Sequence, residues 1–260
     1  MVNNTAVTLF RDVMPWTGDV IDQIFQNAPK AFYVWMVNGN SKDYLKKTLK
    51  GKKHILLEDD TPQFDINPFM FAEPEEKKKA LYTLAGKIYR QYSTVFQHVK
   101  PSGLCWVVED DVIVPDNALA ELKKNLEDYN LATIAGRMLD RRPHMLGQNK
   151  CVVNDYTITI KLGSKDCYEA VAKQIDADLT NYYPPTQGIQ IVGSTHMGCW
   201  LTRAELIKNP GISLIEDGCL CVDNNWGWRV YKATGLRVGI NWGVSCKHCY
   251  IDNGVTVYAE

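Results

Sequence analysis

The first half of the chain alternates continuous apolar runs with segments of helical periodicity, and few architectures accept that pattern. The runs are "TAVTLF" (5–10), "AFYVWMV" (31–37), "HILL" (54–57), "LCWVV" (104–108) and "LATIA" (131–135). They are too uniformly apolar to keep one face in water, so each is predicted to be a strand buried on both faces. Between them, Val20, Ile21, Ile24 and Phe25 recur at helical spacing in 17–28, with Thr17 as a candidate cap. A short helix is expected over "KDYLKKTLK". A long one is expected from Glu75, with Leu81, Leu84, Ile88, Tyr92 and Val95 on one stripe. Leu119, Leu122, Leu126 and Tyr129 align in 116–129. Strands and helices in strict alternation predict an α/β fold: a mainly parallel central sheet flanked by helices, with ligands at the carboxyl ends of the strands.

The second half is less regular and is predicted to be mixed. "YTITIKL" (156–162), "IQIV" (189–192), "CWLT" (199–202), "LRVGIN" and "VSCKHCY" have strand character. "KDCYEAVAKQI" (165–175) and "DNNWGWRVYKATG" (223–235) have helical character, the latter stopped by Gly235. With no repeat and no clear linker, one domain over 1–260 is expected, with halves 1–115 and 116–260.

The totals agree with a globular chain: 260 residues, 45% apolar, 23% charged, net charge -1. That balance provides no global field for nucleic acid. The lysines of 42–53 and 77–79 read as solvated helix faces or as patches for an anionic ligand. There is no run that could span a membrane and no signal-peptide pattern at the start. The eight cysteines then read as reduced thiols, and the expectation is a soluble, cytoplasmic protein.

The chemistry concentrates where "LCWVV" runs into Glu109, Asp110 and Asp111 before apolar chain resumes. Carboxylates crowded at a strand end repel one another. Their natural partner is a hard divalent cation, Mg2+ or Mn2+, bridging a diphosphate. The competing reading is an acidic turn leading to a helix cap at Asp116 or Asn117.

In order and spacing the chain resembles the nucleotide-sugar glycosyltransferases of the GT-A fold, especially their large inverting family. "WVVEDDVIVP" resembles that family's strand–acid–x–acid element, and a long helix precedes it. "GSTHMGCWLTRAEL" (193–206), "VDNNWGWRVYKATGLRVGI" (222–240) and "VSCKHCY" (244–250) follow in family order. The departures are specific. The family's acid pair is here Val222-Asp223, its second-strand acid is replaced by Asn38 in "NGNS", and the element typical of processive synthases is missing.

The resemblance implies a metal-dependent, inverting, non-processive transfer of a sugar from a UDP- or GDP-sugar to an acceptor hydroxyl. It implies Asp111 and His248 as metal ligands, and Asp223 as the general base. It makes 1–115 the nucleotide-sugar-binding half and 116–260 the acceptor-side half, with Arg11, Asn38, Asp60, Glu109 and Asp110 on the nucleotide-sugar side. Arg203 and Arg229 are further candidates for phosphate, and His196 for the acceptor side. His248 also reads as a buried, satisfied histidine. Asp223 also reads as a helix N-cap, a role compatible with catalysis.

Two other readings stand beside this one. A sugar-1-phosphate nucleotidyltransferase would use similar acids, but "TLFRDVMPWTGD" lacks its Gly-rich loop. A zinc-stabilised binding module would use Cys219, Cys221, Cys246 and Cys249, which otherwise read as core thiols. The acceptor is open: a saccharide, a glycoconjugate or a modified DNA base.

Overall fold

The computed structural model describes residues 4–37, 41–59, 74–138, 151–152, 187–192, 194–209, 212, 222–252 and 254–259. The predicted strands "YTITIKL" and helix "KDCYEAVAKQI" lie outside them.

The alternation in the first half becomes β1 (Thr5–Phe10), α1 (Thr17–Asn27), β2 (Phe32–Val37), α2 (Ser41–Thr48), β3 (His54–Glu58), α3 (Pro74–Gln97) and β4 (Leu104–Val108). Next come β5 (Val112–Ile113), α4 (Ala118–Asp128), β6 (Thr133–Met138), β7 (Cys151–Val152), β8 (Ile189–Val192) and β9 (Ser194–Thr195). The chain closes with β10 (Cys199–Arg203), α5 (Ala204–Lys208), α6 (Val222–Thr234), β11 (Val238–Asp252) and β12 (Val255–Ala259).

A ten-stranded sheet carries the fold, in the order β12-β11-β6-β10-β4-β1-β2-β3, with β5 and β8 also paired to β11. β3, β2, β1 and β4 are parallel neighbours, as continuous apolar strands joined through helices require. β10 inserts antiparallel between β4 and β6, and β11 runs parallel to β6. The sheet is therefore parallel from β3 through β4 and mixed beyond.

Side chains alternate across the strands into two cores. One face buries Ala6, Trp106, Val108, Ile134 and Leu201 under α1 and α4. The other buries Val7, Cys105, Val107, Ala135 and Trp200 against α3 and α6 residues that include Tyr92, Val95 and Trp226. On that second face Trp226 packs edge-on to Trp200, with centroids 5.1 Å apart, and its Nε1 donates to Thr133 Oγ1 at 3.0 Å.

Helix ends differ from the expected caps. Trp16, not Thr17, precedes α1, and the Thr17 hydroxyl instead accepts the Met14 N–H at 2.8 Å. Asn117 precedes α4 in the left-handed region (φ 64°) and makes no side-chain cap. The cap comes from Asn27 at the end of α1: its Oδ1 accepts the Leu119 N–H at 3.2 Å, and its Nδ2 donates to Pro115 O at 3.1 Å. Asp116 is exposed. The acids after β4 are thus not the prelude to a side-chain cap. Gly235, at φ 71°, ends α6 as its sequence position predicts.

Candidate functional site

Register alone assembles the acidic edge. β1 pairs with β4 so that Val7 lies beside Val107, and β1 runs on to Phe10, two residues past the level at which β4 ends in Val108. Arg11 is the first residue beyond β1, and Glu109, Asp110 and Asp111 are the first beyond β4. Parallel strands in this register must bring that cation and those acids together.

Three different elements fix the backbone of the acids. The Glu109 N–H donates to Gly198 O at 2.9 Å, Trp16 Nε1 donates to Asp110 O at 2.9 Å, and the Cys249 N–H donates to Asp111 O at 2.7 Å. The Val112 N–H closes the turn on Glu109 O at 3.1 Å. The short β5 then pairs with β11, matching Val112 to His248. Through that pairing a histidine from the far end of the sequence reaches the acids: His248 Nε2 lies 3.7 Å from Asp111 Oδ2.

Asp110 and Asp111 are each 3% exposed, and Glu109 is half-buried. Buried carboxylates need charge compensation, and Arg11 supplies it. Its backbone N–H donates to Asp110 Oδ2 at 2.8 Å, and its Nε donates to Oδ1 at 3.0 Å. Its Nη2 reaches Asp110 Oδ1 at 2.5 Å and Asp111 Oδ2 at 2.7 Å. The charge of Asp110 is the largest influence holding the guanidinium well above its ordinary pKa. Burial opposes it and Asp111 adds to it. The Arg11 side chain as a whole is 52% exposed, although its head grips two buried acids.

Tyr92 belongs to the same neighbourhood. By its period it is a core residue of α3, and it is buried. Burial first, then the negative charges of Glu109, Asp110 and Asp111, push its phenol well above the ordinary range. The period shows only that Tyr92 faces inward; that it faces these acids depends on where α3 lies. At the end of β3 the Asp59 N–H donates to Val37 O at 3.0 Å, and Gln91 Nε2 meets Asp59 Oδ2 at 2.5 Å. Asp59, not singled out from the sequence, follows Glu58, whose Oε2 pairs with Lys42 Nζ at 2.7 Å.

The structure thus brings together Arg11, Glu109, Asp110, Asp111 and His248. Asn38 and Asp60 lie outside the described residues. Asp223 is in the first turn of α6, and its side chain is not among those described.

Two other candidates have structural partners. Arg203 pairs with Leu104, at the opposite end of β4 from the acids. There its Nε donates to Leu131 O at 3.1 Å and its Nη2 to Asn130 Oδ1 at 3.4 Å, a role in the α4–β6 turn rather than at a phosphate. His196 is buried, and its Nδ1 accepts the Gly198 N–H at 3.1 Å. Nε2 therefore carries the ring proton and donates to Gly136 O at 2.8 Å. Both ring nitrogens are used in holding the turn whose Gly198 carbonyl receives Glu109. His196 thereby braces the turn that supports the acidic segment. Arg229 is half-buried on α6.

Cys246 and Cys249 are buried core thiols, and Cys219 and Cys221 lie outside the described residues. Burial, then the charge of Asp111, pushes the Cys249 thiol up to about 12. Among the described residues no group of three His, Cys, Asp or Glu is gathered for a metal.

No protein-family model matches the chain, and no curated protein matches it in sequence. Solved structures do resemble it. The Staphylococcus aureus TarS 1-349 structure superposes with a TM-score of 0.52 at 9% identity, over 94% of this chain and 59% of that one. TarS 1-349 in complex with UDP-GlcNAc gives 0.50 at 8% identity, over 94% and 57%. GalNAc-T7 with UDP, GalNAc and Mn2+ gives 0.55 at 11%, over 97% and 45%. The chain spans less than two thirds of each of these glycosyltransferase structures. It has the GT-A-like fold of nucleotide-sugar glycosyltransferases. Among the described residues no helix is long and apolar enough to cross a membrane.

Proposed function

We propose that the protein is a glycosyltransferase that moves a sugar from a UDP- or GDP-sugar to an acceptor hydroxyl, with inversion and without processivity. The observation that carries this reading is the gathering of Arg11, Asp110, Asp111 and His248 at the carboxyl edge of a GT-A-like sheet. UDP-GlcNAc in one similar structure, and UDP with Mn2+ in another, support the same reading.

The donor set suits Mn2+ or Mg2+ at Asp111 and His248. Two ligands on one ion, at bonds near ~2.1 Å, stand about 3 to 3.6 Å apart. The Asp111–His248 separation of 3.7 Å needs only slight closing. A carboxylate oxygen and an imidazole suit such an ion, with diphosphate and water oxygens as the remaining ligands. When bound, the ion would neutralise charge on the departing diphosphate.

The other roles belong to side chains. Arg11, Asn38, Asp60, Glu109 and Asp110 orient the nucleotide-sugar in the 1–115 half. Asp223, from the 116–260 half, takes the proton of the acceptor hydroxyl as its oxygen bonds to the anomeric carbon. The bond from that carbon to the diphosphate breaks, and UDP or GDP leaves. The acceptor would approach from the 116–260 side and is a saccharide, a glycoconjugate or a modified base.

The test is a screen of UDP- and GDP-sugars with Mn2+, reading nucleoside diphosphate released by transfer to an acceptor panel or to water. One donor class should be consumed, and EDTA should silence it. No release from any donor, alongside pyrophosphate formation from a sugar-1-phosphate and a nucleoside triphosphate, would replace this reading with a nucleotidyltransferase.

A further inference from the structure

The two buried acids are held by Arg11 unequally. Asp110 receives its backbone N–H, Nε and Nη2, so both Asp110 oxygens are turned to this one residue. From Arg11, Asp111 receives Nη2, and the oxygen that accepts it, Oδ2, is the oxygen that faces His248 at 3.7 Å. Asp110 is therefore built as the anchor of Arg11. Asp111 is built to be shared between the guanidinium and whatever lies on the imidazole side.

An ion held by Asp111 and His248 would use the Oδ2 that Nη2 now occupies. Two cations on one buried oxygen repel strongly, because little solvent lies between them to screen the charge. We infer that Arg11 is a positioning residue acting as an internal counter-cation. It neutralises Asp111 before a divalent cation binds and gives up Asp111, but not Asp110, when the cation arrives. The three Asp110 contacts keep the released guanidinium at the site, beside the diphosphate. Arg11 and the ion thus compete for one carboxylate, and nucleotide phosphate favours the exchange by offering the guanidinium a second anion. This inference rests on the proposed cation at Asp111 and His248, and it assigns Asp110 to Arg11 rather than to the ion.

The test needs no nucleotide. Mn2+ is titrated into the native protein and into Arg11→Gln, and free Mn2+ is read by electron paramagnetic resonance. Without the competing guanidinium, the variant should bind Mn2+ at least about fivefold more tightly. Independently of whether the variant folds, the arginine side-chain NMR signals of the native protein are followed during a Mg2+ titration. The Arg11 Nη signal should shift and broaden, while the Nε signal, held by Asp110, persists. Equal or weaker Mn2+ binding by the variant, or Mg2+ binding that leaves Nη unchanged, overturns the competition while leaving the cation site standing. Failure of both proteins to bind either cation removes the cation site itself and the inference with it.

Discussion

His248 Nε2 stands 3.7 Å from Asp111 Oδ2, and the N–H of the next residue, Cys249, donates to the Asp111 carbonyl at 2.7 Å. One strand thus fixes the backbone of the acid and presents an imidazole to its side chain. If that imidazole is an ion ligand, His248→Asn should weaken Mn2+ binding by roughly tenfold or more while the protein stays folded. Manganese titration with thermal melting in EDTA separates the two effects. Unchanged Mn2+ affinity would make His248 a packing residue.

Asp110→Asn keeps the shape of the anchor but removes the charge that Arg11 grips. Removing one partner of a buried ion pair is costly, and the half-exposed Arg11 moderates the cost. The expected loss is about 1–3 kcal/mol in EDTA, read by urea unfolding at neutral pH. A variant as stable as the native protein would show that the Arg11 grip is not needed to keep these acids buried.

Alkaline pH should destabilise the fold. Burial raises the Cys249 thiol from its ordinary 9.0 to about 12 and the Tyr33 phenol from 10.0 to about 12. Between those values the unfolded chain has lost protons that the folded chain retains, so stability falls as pH rises. The stabilising contribution is whole below about pH 9 and is lost through pH 12, with a limiting slope near ~1.4 kcal/mol per pH unit for each group. Urea midpoints from pH 8 to pH 10.5 should decline, and Cys249→Ala should decline less steeply. A flat profile would contradict the burial of these groups.

Gly136 connects the core to the site. A β-carbon there would meet Val244 O at 2.9 Å and Cys246 Sγ at 3.0 Å. The carbonyl of Gly136 also accepts His196 Nε2, which orders the turn receiving Glu109. Gly136→Ala should cost about 1–3 kcal/mol, because backbone must shift to admit the methyl. Urea unfolding of this variant checks it, and a cost below about 0.5 kcal/mol would mean that β6 and β11 separate readily.

The first half was readable because continuous apolar strands, helix stripes and turns all say the same thing there. Arg11 and the acids could be placed together as well, since each follows directly on a parallel strand. What local pattern does not encode was missed. "CWLT" reads as a strand, but nothing in it says that it runs antiparallel between β4 and β6. β12 is half-exposed along much of its length, as in Val255 and Tyr258, and gives little periodic signal. "LRVGIN" and "VSCKHCY" read as two strands, whereas β11 runs through both with a register shift between Asn241 and Ser245. The cap of α4 comes from Asn27, remote in sequence, so the local candidates Asp116 and Asn117 misled. Nothing in the sequence says that His196 braces a turn, which its two hydrogen bonds show.

Calorimetric titration of UDP and GDP, with Mn2+ and with EDTA, into the native protein and Asp111→Asn tests the central claim most directly. The account predicts that the native protein binds one of them only when Mn2+ is present, and that Asp111→Asn loses this binding while melting as a folded protein in EDTA. Equal binding with EDTA, or undiminished Mn2+-dependent binding by Asp111→Asn, would contradict it.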